Sequence, residues 1–275
     1  MKVIYSNLEV GQWLSNENKG IVGFVPTMGA LHKGHLSLIE QAKKKCNTVI
    51  VSIFVNPTQF NNKSDLKKYP KDLENDLAFL KRTAADLVYV PKTAKEVYEN
   101  EIDMAFHFDK IDKVMEGRYR EGHFIGVARV VKLFFDLLNP DIAFFGKKDY
   151  QQLLIIKELV NQFNLKTKII GCETIREKDG LAMSSRNLRL SNSERLLAAN
   201  IYKTLKFCKQ KSSSVEFKEL ENKCFQELSK FSIPEYFEIR NANNLSKKGD
   251  DLCKWRAFAA TKLGNVRLID NIALN

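Results

Sequence analysis

The chain has 275 residues, 44% hydrophobic and 28% charged, values ordinary for a globular protein and enough for one large domain or, better, one of about 150 to 180 residues with a smaller companion. No apolar run approaches the ~20 residues of a membrane helix, and Met1 to Gln12 has neither the basic start nor the apolar stretch of a signal peptide. A cytoplasmic protein with no membrane partner is therefore expected. The net charge of +11 is dispersed in pairs and triplets (Lys43 to Lys45, Lys67-Lys68, Lys247-Lys248) and forms no aromatic-interleaved stripe, so it points to anionic small substrates or a lysine-rich surface, not to nucleic acid.

Ile21 to Pro26 and Thr48 to Val55 are short runs rich in Val, Ile and Phe, the pattern of strands buried on both faces. Between them a helix-period segment places His35, Leu38, Ile39, Ala42 and Cys46 on one face, with Lys43 to Lys45 at its C-terminal end, where cations suit the helix dipole. This is a βαβ unit. A helix from Pro70 to Thr83, a strand at Leu87 to Val90, and an almost wholly apolar helix at Phe124 to Leu138 continue the alternation. The apolar face of that last helix suits either a core or a subunit interface. A strand at Ile142 to Phe145, a helix at Tyr150 to Phe163 and a strand at Lys168 to Cys172 complete the series. The fold class predicted is α/β, with a doubly wound, Rossmann-like parallel sheet over 1–174.

Beyond about residue 173 the pattern changes. Ser191-Asn192-Ser193-Glu194 reads as a capping box opening a helix to Lys209, and a second amphipathic helix covers Val215 to Phe231. Strands at Tyr236 to Arg240, Trp255 to Leu263 and Val266 to Asp270 follow, the last two joined by a type II′ turn at Gly264-Asn265. The segment 175–275 is predicted as a smaller α+β domain. Cys46, Cys172, Cys208, Cys224 and Cys253 are scattered, odd in number and without C-x-x-C spacing, which suits reduced thiols rather than disulfides or zinc.

Ligands of a parallel sheet bind beyond the C-terminal ends of its strands. That places the turn Met28-Gly29-Ala30-Leu31-His32-Lys33-Gly34-His35 at a site. Its glycines let backbone approach a ligand closely, and the following helix start offers amide donors to an anion. His32 and His35 fit phosphate donors; a turn residue and a helix-face residue are the plain alternative. The helix dipole should lower their pKa from about 6.5, and a bound polyphosphate should raise it. Three further clusters accompany them: Gly146-Lys147-Lys148-Asp149 with Gln152 after a strand, the loop Asp179 to Asn187 with Ser184, Ser185 and Arg186 able to wrap phosphate oxygens, and Asn56 with Gln59, two amides suited to a hydroxy acid. His123 borders the pocket or merely starts a helix, and His107 reads as a strand residue in the alternating run Ala105 to Phe108.

H-x-G-H after the first strand, with a distant M-S-S-R, resembles the nucleotidylyltransferase superfamily. P-T-M-G-A-L-H-K-G-H, V-N-P-T-Q-F, G-K-K-D-Y-Q-Q, D-G-L-A-M-S-S-R-N and D-N-I, in this order along nearly the whole chain, resemble the pantothenate synthetase (pantoate–β-alanine ligase) family. The resemblance implies that ATP adenylylates the carboxylate of pantoate, releasing pyrophosphate, and that β-alanine displaces AMP to give pantothenate. It implies catalytic roles for His32, His35 and Lys148, with His35 the proton donor and Lys148 the principal cation. ATP would be cradled by Met28, Gly29, Ala30, Leu31, His32, Lys33, Gly34 and His35 and bound by Gly146, Lys147, Lys148 and Asp149. Ile175 would meet adenine or ribose, and Met183, Ser184, Ser185 and Arg186 would close on the phosphates. Gln59 and Gln152 would hold pantoate, Gln59 also reaching β-alanine, while Asn56 shapes the pocket. Magnesium is implied with ATP, at Asp76, although Asn75 stands where an acid can occur. Lys147 stands where many members have glutamate, a change of two charge units with room to tighten ATP or alter the loop. A homodimer is implied as well.

Overall fold

A computed structural model describes residues 1–16, 20–99, 104–249 and 252–275. In chain order the elements of the parallel sheet and its helices are β1 (Lys2–Ile4), α1 (Asn7–Ser15), β2 (Val22–Thr27), α2 (Lys33–Lys43), β3 (Thr48–Ile53), α3 (Lys63–Lys68), α4 (Leu73–Leu80), β4 (Leu87–Tyr89), α5 (Ala94–Tyr98), α6 (Met115–Tyr119), α7 (His123–Leu138), β5 (Ile142–Gly146), α8 (Tyr150–Gln162) and β6 (Lys168–Cys172). All neighbouring strands run parallel in the order β1-β4-β3-β2-β5-β6. From central β2 the chain builds outward through β3 and β4, then crosses back to β5 and β6, so the switch point lies between β2 and β5.

The register shows why that point is open. β2 pairs with β3 along its whole length, Val22↔Thr48 to Thr27↔Ile53, but with β5 only at Gly23↔Ile142 and Phe24↔Ala143. Pro26 has no N–H to give a ladder, and β2 and β5 part company two residues before it. The sheet is covered on both faces, as its apolar strands demand. Val25, Val49 and Val51 pack with Leu38, Ile39 and Ala42 of α2. From α7, Phe134 meets Phe24, Phe54 and Tyr89 edge-to-face at 5.8, 6.1 and 5.9 Å. The apolar face of α7 is therefore part of the core.

β1 and the short helices α1, α3, α5 and α6 carry too little periodicity to be read from sequence. His107 corrects an expectation: it lies in no strand, and its backbone N–H donates to Gln162 Oε1 at 3.0 Å. The alternation of Ala105 to Phe108 finds no partner strand, and Phe106 packs instead on Phe163.

The C-terminal elements are α9 (Asn192–Lys211), α10 (Phe217–Ser229), β7 (Ile233–Asn241), β8 (Trp255–Leu263) and β9 (Val266–Ala273), the strands forming an antiparallel sheet β7-β8-β9. The capping box is present: Ser191 Oγ accepts from Glu194 N at 3.3 Å and Ser191 N donates to Glu194 Oε2 at 2.8 Å. Gly264 has φ +53° in the β8–β9 turn, as a first-position glycine requires. Ala198, Ile201 and Leu205 of α9, Leu220 of α10, and Phe237 and Ala259 of the sheet share a core of their own. Two compact units result: Met1–Lys147 with Gln152–Glu173, and Lys148–Gln151 with Thr174–Asn275. Lys148–Gln151 falls in the second unit because Tyr150 packs on Phe258 and Asn271 bonds Lys148.

Candidate active site

The turn after β2 is fixed by side chains. Gly29 has φ +66°, and a Cβ there would stand 2.4 Å from Asp76 Oδ2, so only glycine fits. Tyr69, buried, donates its hydroxyl to Gly29 O at 2.8 Å, and Asp76 Oδ1 accepts from Leu31 N at 2.6 Å. His32 is the N-cap of α2: its Nδ1 accepts from Gly34 N at 3.1 Å, while His35 Nδ1 accepts from His32 N at 3.3 Å. The two histidines thus form a reciprocal capping box in which imidazole nitrogens replace the usual hydroxyl and carboxylate. Their rings lie 4.1 Å apart, tilted by 34°.

This geometry decides a tautomer. A backbone N–H is accepted only by an unprotonated ring nitrogen, so both neutral rings carry their proton on Nε2. Each ring is then a donor at the edge opposite the backbone. It also revises the expected anion seat, because the amides of Leu31, His32 and Gly34 are spent on Asp76, His35 and His32. What the turn has to offer an anion is therefore mainly the imidazole Nε2–H groups.

Asp76 does not suit the magnesium role. It is 4% exposed, its carboxyl is pushed above the usual range by burial and secondarily by Asp72, and Oδ1 is committed to Leu31. Among the described residues no three His, Cys, Asp or Glu side chains converge.

The exit of β3 leads into a 3₁₀ turn, Pro57–Gln59, packed under α7. Gly126 makes this approach possible, since a Cβ on it would stand 2.4 Å from Thr58 O. Asn56, 1% exposed, gives its Nδ2 to Gly126 O (3.0 Å) and Gln59 Oε1 (3.3 Å). Its Oδ1 takes Tyr98 OH (2.6 Å), Thr58 Oγ1 (2.9 Å) and Thr58 N (3.2 Å). With both ends engaged, Asn56 orients Gln59 and has nothing left for a substrate. Gln59 Nε2 points to Met28 Sδ at 2.8 Å, which joins the 3₁₀ turn to the β2 turn. His123 Nδ1 lies 2.7 Å from Gln59 O. A carbonyl only accepts, so His123 carries its proton on Nδ1, the opposite tautomer to His32 and His35.

At the end of β5, Lys147 Nζ pairs with Glu173, which offsets the charge of the lysine. Gln152, half-buried, sits in the first turns of α8.

The second unit holds the remaining candidates. Lys148 Nζ is 3.4 Å from Asp149 Oδ1. Arg176 and Ala182 form an isolated antiparallel bridge, and Met183 N donates to Ile175 O at 3.0 Å, so Ile175 and Met183 are neighbours. Ser184 Oγ accepts from Arg186 N at 3.3 Å and caps the 3₁₀ turn Ser185–Arg189. Ser185 is buried and Arg186 half-buried. Sequence reading missed Tyr69 and Tyr98 as supports; both act across about 40 residues, where no local signal exists.

Fold and turn define a class, an α/β protein with a doubly wound sheet and a histidine-lined turn at its switch point. The family model described as pantoate-beta-alanine ligase matches residues 2–273. The pantothenate synthetase of Flavobacterium psychrophilum is 44% identical over 264 residues, covering 94% of this chain and 93% of that one. A crystal structure of pantothenate synthetase from Thermus thermophilus superposes with a TM-score of 0.93 at 34% identity, covering 100% of this chain and 99% of that chain. A pantoate-beta-alanine ligase from Francisella tularensis, crystallised with beta-gamma ATP and beta-alanine, gives 0.82 at 36% identity, covering 100% and 98%. The chain belongs to the pantoate–β-alanine ligase family.

Proposed function

We infer that the chain joins pantoate to β-alanine in two steps with ATP as co-substrate. The pantoate carboxylate attacks the α-phosphorus, pyrophosphate leaves, and a pantoyl adenylate forms. The β-alanine amine then attacks the acyl carbon; AMP leaves, and the amine gives up its proton as pantothenate forms. A free carboxylate is a poor acyl donor, and AMP makes a good leaving group. Family membership over residues 2–273 supports this activity, and the observation that carries the site is the double-histidine capping box at the open switch point.

In this reading His32 and His35 donate Nε2–H to the α- and β-phosphate oxygens, His35 giving a proton as charge develops toward pyrophosphate. Preorganised donors of this kind supply the largest catalytic effect in phosphate and acyl transfer. Met28, Gly29, Ala30, Leu31, Lys33 and Gly34 form the cradle around them. Gly146, Lys147, Lys148 and Asp149 take the nucleotide, with Lys148 the main cation. Ile175 meets adenine or ribose, and Met183, Ser184, Ser185 and Arg186 meet the phosphates. Gln59 and Gln152 hold pantoate, Gln59 facing the β-alanine position too. Magnesium, if bound with ATP, would offset phosphate charge and would be held chiefly by the nucleotide and water rather than by side chains of this turn. A cytoplasmic location and a homodimer belong to the same proposal; analytical ultracentrifugation should give the mass of two chains, and a single-chain mass would remove the dimer.

ATP–pyrophosphate exchange tests the function. Exchange that requires pantoate, and is diverted to pantothenate and AMP when β-alanine is added, is the expected result. Exchange without pantoate would sink the reading.

A further inference from the structure

Asp270 and Asn271 are consecutive in β9, each only 4% exposed, and the chemistry above uses neither. Burying a carboxylate and an amide is costly unless every polar atom is paired. Asp270 takes a bidentate bond from Arg176, at 2.6 and 2.9 Å, and its Oδ1 also accepts from Asn271 N at 2.8 Å. The Arg176 guanidinium lies 3.7 Å over the Tyr202 ring and donates to Gly180 O at 3.0 Å. Arg176 is therefore held from three sides at the root of the bridge with Ala182 that leads into Met183–Arg186.

Asn271 faces the other nucleotide segment. Its Nδ2 donates to Lys148 O at 2.7 Å, while its Oδ1 accepts from Arg256 Nη1 at 2.5 Å. Arginine only donates and a carbonyl only accepts, so the amide has one orientation. Arg256 is in turn stacked 4.1 Å over the ring of Tyr150, two residues beyond Lys148. Aspartate at 271 would set an oxygen against the Lys148 carbonyl, and alanine would leave that carbonyl without its donor.

We propose that Asp270 and Asn271 are a positioning pair that locks together the two nucleotide-binding segments of the C-terminal unit. Asn271 sets the backbone of Lys148, and Asp270, through Arg176, sets the hairpin that carries Met183–Arg186. Neither touches substrate. The proposal rests on the assignment of Lys148 to ATP made above.

Pyrophosphate exchange with Asn271→Ala, Lys148→Ala and the double variant, alongside calorimetric Tm, tests it. Asn271→Ala should raise the KM for ATP about tenfold and leave that for pantoate within about twofold, and it should add less than about twofold in the Lys148→Ala background, because a residue acting through another is not additive with it. Should Asn271→Ala not fold, Asn271→Asp keeps the volume and the Arg256 contact and carries the same expectation. An unchanged ATP KM, a uniform loss that follows Tm, or effects that multiply in the double variant would each overturn the pairing. If Lys148→Ala itself leaves the ATP KM unchanged, the Lys148 assignment fails and the proposal with it. If only the Asn271 variants are silent, the proposal alone fails.

Discussion

His32 and His35 each accept a backbone N–H at Nδ1, and the proposed mechanism gives each a second duty, donating Nε2–H to phosphate; substitution can separate the two. Asparagine is a strong N-cap with its own side-chain acceptor. His32→Asn should therefore keep Tm near wild type while single-turnover adenylylation falls at least about tenfold, ~1.4 kcal/mol of barrier. A variant that keeps its rate would show His32 to be a cap alone. Asp76 allows a similar separation. Asparagine can still accept from Leu31 N, so Asp76→Asn should retain activity and its magnesium dependence, whereas Asp76→Ala loses the turn. A steep rise in the magnesium requirement of Asp76→Asn would restore the metal role. Burial raises the Asp76 carboxyl above its usual value, so the native state holds this proton more tightly than the unfolded one. Stability from this group is full below the ordinary carboxyl range and is lost as pH rises through the raised value. Asp76→Asn should flatten that part of the stability profile, measured by denaturant titration.

At the scale of elements, α7 does more than fill the core. Its glycine at 126 lets it lie against Thr58, and its first residue, His123, reaches Gln59 O. Gly126→Ala should push the 3₁₀ turn away and cost about 1–3 kcal/mol, the usual range for overpacking, with the KM for pantoate rising more than that for ATP. Equal changes in both would show a general loss of packing instead. The elements legible in the sequence were those with strong periodicity or chemical punctuation: β6 and β8 by their apolar runs, α9 by Ser191 and Glu194, and the β8–β9 turn by Gly264. β1 is three residues long, α5 and α6 five each; segments so short are made helix or strand by their neighbours. Ala105 to Phe108 shows the converse, a strand-like alternation with no strand beside it.

For the whole molecule, the charge of +11 matters through its field on anionic substrates. The KM for ATP should rise as ionic strength increases from about 0.02 to 0.3 M, since screening shortens the Debye length several-fold over that range, and kcat should change little. A salt-independent KM would leave the basic residues a surface property only. No helix among the described residues is long and apolar enough to cross a membrane.

The sequence by itself determined the parallel-sheet alternation, the antiparallel C-terminal strands and the family, and it nominated the candidate side chains, because periodicity and motif spacing are local properties. Tertiary structure alone decided what those side chains are free to do. The capping box of His32 and His35 closes locally, over two and three residues, but that Asp76 braces Leu31 and that His123 holds its proton toward Gln59 O depend on partners far away in sequence. So does the place of Asn271, whose one buried amide reaches back 123 residues to the carbonyl of Lys148. A hydrogen bond in the interior is set by whatever the fold brings within 3 Å or so, and no spacing along the chain records it.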